Sequence, residues 1–136
     1  MTRSKNCRKS SSRRGAATVE FAVCLPMLLV LVFGTIESAS RIFLKQTLAV
    51  SAYETAREAI RAGSTKDKAT TQGKSILSAR KVVDGDVKIT PNDVAGTARG
   101  TKVIVEVTAP TAKNSPMLGS FVANKNITAR VVMLKE

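Results

Sequence analysis

The chain has 136 residues, a one-domain length, with 22 Lys and Arg against 10 Asp and Glu, a formal net charge of +12, two cysteines, and neither histidine nor tryptophan. Without histidine there is no Ser-His-Asp or Cys-His catalysis and no His-based metal site. Two cysteines build neither a four-cysteine zinc site nor a disulfide-dense scaffold. Aromatic residues are 4% of the chain, too few to make stacking on nucleobases an obvious mode of binding.

Residues 1–15 form a basic leader. Its charges are Arg3, Lys5, Arg8, Lys9, Arg13 and Arg14, with no acid among them, and Ser and Asn supply much of the rest. Such a composition predicts disorder. Residues 16–36 then read as one apolar block whose only charge is Glu20. As a helix this block is about 30 Å long, enough to cross a bilayer core of about 30 Å. A membrane-spanning helix is therefore expected, and the chain that follows is small for wrapping a fully apolar core helix. The basic leader predicts a cytoplasmic N-terminus, with residues 37–136 across the membrane. A cleaved secretory signal is the competing reading, with Ser38-Ala39-Ser40 as small residues near a cleavage point. Pro26 is expected to kink the helix or loosen one turn.

No Pro or Gly interrupts 37–62, so the helix is expected to continue to Ala62. Ile42, Ala49, Tyr53, Ala56 and Ile60 mark its inward face, widened by Leu44 and Leu48. Glu54 and Glu58 alternate with Arg57 and Arg61 on the outer side, and Gly63 is the expected C-cap. A second helix is expected from about Ser64, its N-cap, to Val82, weakened by Gly73. From Asp84 the period changes to two: Val87 and Ile89, then Val103, Val105 and Val107, then Ile127, Ala129, Val131 and Met133 predict three strands. The fold class expected is α+β. A long N-terminal transmembrane helix continues into a small extracytoplasmic domain with a second helix and a three-stranded antiparallel sheet.

Glu20 is the residue that needs an explanation, because an ionisable group in a membrane segment marks a functional site unless it sits at the interface. Gly15 ends the basic leader, Ala16 follows it, Glu20 comes four residues later, and Phe21 opens the uninterrupted apolar run. This arrangement resembles the processing site of type IV prepilins and, more closely, the TadE-like pseudopilins of the tight-adherence (Flp-type) pilus system. Glu20-Phe21-Ala22, Pro26, Leu28-Leu29, Gly34 and Glu37 are similar to that family's helix pattern. The stretch 53–63 resembles the end of its long helix, and 127–136 its final strand. The resemblance implies that a prepilin peptidase cuts after Gly15, making Ala16 the first residue and Glu20 the fifth. It also implies a single-pass protein of the bacterial inner membrane with a periplasmic or extracellular C-terminal domain. Its role would be that of a minor structural component, not an enzyme, with no cofactor. Its partners would be the peptidase, other pilin or pseudopilin subunits, the assembly machinery and membrane lipid, with no specific nucleic acid. Cleavage would create an ammonium at Ala16, one helical turn from Glu20. The carboxylate could neutralise that ammonium in its own chain or in a neighbouring subunit.

Other chemistry is sparse. Residues 96–102 superficially suggest a phosphate loop but lack its spacing, and read as a hairpin turn. Asp84 and Asp86 flank Gly85 as a solvated turn. Cys7 and Cys24 would be separated by the cut. The alternative function is a secreted or membrane-anchored basic protein that binds polyanions, since 37–136 alone retains a net positive charge. A membrane-embedded enzyme lacks any nucleophile–base pairing.

Overall fold

The computed structural model describes residues 12–116 and 125–136, with side chains from Gly15 onward. Its elements run α1 (Ser12–Ile60), α2 (Lys66–Ala79), β1 (Asp86–Thr90), β2 (Lys102–Pro110), the short 3-10 helix η1 (Ala112–Asn114) and β3 (Asn126–Leu134). The α+β architecture read from the sequence is the one observed. The chain divides into two compact units, one reaching Ile36 and the other running from Glu37 to Glu136.

In the first unit α1 starts at Ser12, ahead of the expected Ala16, and stays helical through Pro26. Leader residues before Ser12, Cys7 among them, lie outside the described residues. Every residue from Gly15 to Ile36 is exposed, including Phe21, Met27 and Val30. The segment is long and apolar enough to cross a membrane.

In the second unit the inward face of α1 is only partly the expected one: Leu44 and Leu48 are buried as expected, but other positions differ. Ile42 and Tyr53 are more than half exposed and Ala49 is exposed, whereas Ala56 is buried and Ile60 half-buried. The buried surface consists of two adjacent i,i+4 rows: Leu44, Leu48, Ala52 and Ala56, and Thr47, Ser51, Thr55 and Ala59. Small side chains line it because α2 packs close. Ala69, Gly73 and Leu77 form the buried row of α2, and Ser51 Oγ donates to the Gly73 carbonyl at 3.0 Å. A Cβ on Gly73 would stand 2.2 Å from Thr55 Oγ1. The glycine that weakens α2 by propensity is thus what lets the two helices approach.

The helix ends also differ from expectation. α1 stops at Ile60, and Gly63 takes a φ of +75° in the turn beyond it. The N-cap of α2 is Thr65, whose side chain accepts from the Lys68 N–H, while Ser64 Oγ donates to Glu58 Oε1. Ser64 is buried, so its hydroxyl goes to a side chain across the turn instead of to the helix start. α2 closes at Ala79 with paired bonds from Lys81 N to Ser78 O and from Val82 N to Leu77 O. Lys81 occupies the left-handed position usually given to glycine in this motif.

The sheet is antiparallel in the order β1-β2-β3. Register places Val87 opposite Val107 and Ile89 opposite Val105, then Val105 opposite Val131 and Val107 opposite Ala129. These inward residues, Val94 and the small-residue rows of the helices form one hydrophobic cluster. Lys135 closes the domain. It is buried, and its Nζ donates to the carbonyl oxygens of Ala59 at 2.9 Å and Arg61 at 3.0 Å, satisfying acceptors at the C-terminal end of α1.

Candidate functional site

Gly15, Ala16, Glu20 and Phe21 all lie on α1 and all are exposed. Among the described residues, nothing beyond the neighbouring helix backbone stands within 4 Å of where a Gly15 side chain would begin. Ala16 and Glu20 are one turn apart on the same helical face. Ala16 N is a peptide nitrogen in the intact chain, so it carries no charge for Glu20 to neutralise. Among the described residues the ion pairs join Arg41 to Glu37, Arg61 to Glu58, Lys88 to Asp86, Lys113 to Asp84 and Arg130 to Glu106, and none involves Glu20.

Glu37, the next acid along α1, behaves in the opposite way. It is buried, and Ser115 Oγ lies 2.8 and 2.7 Å from its two carboxylate oxygens. Arg41 Nε stands 3.6 Å from Oε1, one turn further along. The contact continues through the neighbouring segment. Asn114 Oδ1 accepts from Val83 N at 2.8 Å, and its Nδ2 donates to Val83 O and Pro110 O. Beside it Lys113 pairs with Asp84. The residues around η1 thus tie the α2–β1 turn to the start of the second unit. Glu37 stands out in the sequence as the first charge after the apolar block, but its partner is 78 residues away. No local spacing could have identified Ser115.

The remaining candidates carry no chemistry. Asp84 lies in the α2–β1 turn with a φ of +53° and Asp86 opens β1, each beside a lysine. Residues 96–102 belong to the β1–β2 connection, where Gly100 has a φ of +81° and Gly96 N donates to Asp93 Oδ1. They open no helix. Cys24 is a free, exposed thiol on α1. Among the described residues no group of three His, Cys, Asp or Glu is placed to hold a metal ion. The open cleft between Glu54, Arg57, Glu58, Arg61 and Gln72 mixes both signs of charge. Basic residues of the domain are spread over helices, strands and turns, and several face an acid, so no single polyanion track emerges.

Residues 15–57 match the family model of the TadE-like proteins. Over that stretch the chain is similar to the TadE-like proteins, as the resemblance read from Gly15, Glu20, Phe21 and Glu37 implies. The match begins at Gly15, at the end of the leader, and stops within α1, so β3 lies outside it. No curated protein and no solved structure matches the chain.

Proposed function

We propose that this chain is a non-enzymatic, membrane-anchored minor pseudopilin of a tight-adherence pilus assembly system. A prepilin peptidase would cut it between Gly15 and Ala16. The observation that carries the reading is the position of the family match. It starts at Gly15 and runs through the exposed apolar segment into the domain. The physical features fit. Among the described residues no side chain packs on Gly15, which suits access by a peptidase. The apolar segment of α1 would hold the protein in the bacterial inner membrane, with the domain from Glu37 in the periplasm. Glu20 would accept the ammonium of Ala16, in its own chain or a neighbouring subunit's, and so set register among pilin helices.

The test is the N-terminus of the native protein, by intact mass and N-terminal peptide mapping. A chain beginning at Ala16, or its N-methylated form, is expected, with Gly15→Leu leaving the leader attached. A start near Ser40 or Arg41 would make the segment an ordinary secretory signal. An uncut chain would leave only an anchor and overturn the pseudopilin assignment.

A further inference from the structure

An open cleft of ≈ 630 Å³ lies between α1, the α2–β1 turn and η1. Ser40, Phe43, Leu44 and Thr47 form its α1 wall, and Arg80, Lys81 and Lys113 rim it. Lys113 is paired with Asp84, but Arg80 and Lys81 are exposed and have no acidic partner among the described residues. The rim is held in place by the α2 end motif, which puts Lys81 in a left-handed conformation, and by the Asn114 bonds to Val83. Phe43, on the opposite wall, is 67% exposed.

Position along the chain says what this cleft meets. Ser40 is four residues beyond Ile36, about 6 Å of helical rise, and Phe43 about 10 Å. The headgroup layer beyond the hydrocarbon is about 5–8 Å thick on each side of a bilayer. If the apolar segment spans the membrane, as the proposed function requires, the α1 wall of the cleft begins at headgroup depth. Cationic side chains held near an anionic membrane surface are drawn to lipid phosphates. Arginine matches a phosphate oxygen pair in a way that a bare positive surface does not.

We propose that the cleft binds the phosphate of an anionic phospholipid headgroup, with Arg80 and Lys81 as its ligands. The inference rests on the membrane-anchor reading and deepens it. Its test uses the full chain in zwitterionic micelles offered equal phosphatidylglycerol and phosphatidylcholine, with retained lipid read by native mass spectrometry. Preferential retention of phosphatidylglycerol is expected. Each basic residue near an anionic surface contributes about fivefold in binding, so Arg80→Gln with Lys81→Gln should weaken the preference about twentyfold or more. The charge-keeping pair Arg80→Lys, Lys81→Arg should retain most of it, and Lys68→Gln with Lys74→Gln, outside the cleft, should leave it unchanged. Unchanged calorimetric unfolding shows that the variants still fold. Equal retention of both lipids, or no effect of the cleft variants, overturns the proposal. Inorganic phosphate binding as tightly as phosphatidylglycerol also overturns it, by making the cleft a site for a soluble anion. A wild-type chain that fails to partition into membranes would instead overturn the anchor reading beneath it.

Discussion

Gly73→Ala is the substitution for which the helix-propensity rule and the structure disagree most sharply. In the interior of an exposed helix, alanine for glycine stabilises by about 1 kcal/mol. Here the added Cβ would stand 2.2 Å from Thr55 Oγ1, against 3.4–4 Å for ordinary contact. Thr55 is fully buried, so its side chain has no solvent to swing into, and the Gly73 carbonyl is held by Ser51. Relief requires α2 to move off α1, which loosens the Ala52 and Ala56 contacts. Overpacking of this kind costs about 1–3 kcal/mol, and the upper end applies where two helices must separate. The net expectation is a loss of about 2 kcal/mol, or roughly 10 °C in Tm for a domain of this size. Differential scanning calorimetry of the full chain in micelles measures it. Thr55→Ala supplies the internal control. It removes a buried hydroxyl that has no hydrogen-bond partner, so the orphan's desolvation penalty offsets much of the lost methyl. Combined with Gly73→Ala it should recover about 1 kcal/mol relative to the sum of the single changes. A Gly73→Ala protein as stable as the parent, or a double variant showing no recovery, would refute the close-approach argument.

Two further substitutions probe the contacts that tie the chain's distant parts together. Lys135→Met keeps the stem but deletes both charge-assisted bonds to the end of α1, and a loss of about 2 kcal/mol is expected in the same calorimetric assay. An unchanged Tm would mean that solvent already satisfies those carbonyls. At Glu37, Gln keeps an acceptor for Ser115 and drops the charge facing Arg41, for an expected cost under about 1 kcal/mol. Leu removes both, for about 1–3 kcal/mol. The order parent, Gln, Leu is the prediction, and a Leu variant as stable as the parent would contradict a stabilising role for the Ser115 and Arg41 contacts of Glu37.

What the sequence discloses here follows the range of the interaction concerned. The apolar block announces itself by the absence of charge over 16–36, and the strands by period two, because alternation needs only one buried face. Inward positions Val87, Val105 and Ala129 were therefore legible. The buried face of α1 was legible only in part, at Leu44, Leu48 and Ala56. Reading for large apolar residues favours Ile42 and Tyr53, whereas the domain buries Ser51, Thr55 and three alanines, since close helix packing selects for small volume over hydrophobicity. Gly73 carried the missing signal, but a helix-interior glycine reads as a weakness until its neighbour is known. Ser115 and Lys135 are contacts across more than 70 residues, and no local pattern encodes them. At the N-terminus the residue types of Gly15, Ala16, Glu20 and Phe21 were visible at once, because the proposed processing signal is a linear string that needs no fold to be seen.

The two acids at either end of the apolar block are not equivalent, and the difference bears on how a subunit could meet its neighbours. Glu37 is committed to its own fold: Ser115 and Arg41 occupy its oxygens, and withdrawing it would leave a buried polar site unpaired. Glu20 is exposed and takes part in no ion pair among the described residues. In a membrane such a carboxylate is expensive, by a few kcal/mol on insertion scales, until a cation approaches. Under the proposed processing at Gly15, the new Ala16 ammonium is the nearest cation the reaction itself creates. A neighbouring subunit's ammonium would therefore find Glu20 open to it and Glu37 already taken. The proposed division of labour, one acid for the fold and one for the assembly, rests on this difference between Glu37 and Glu20.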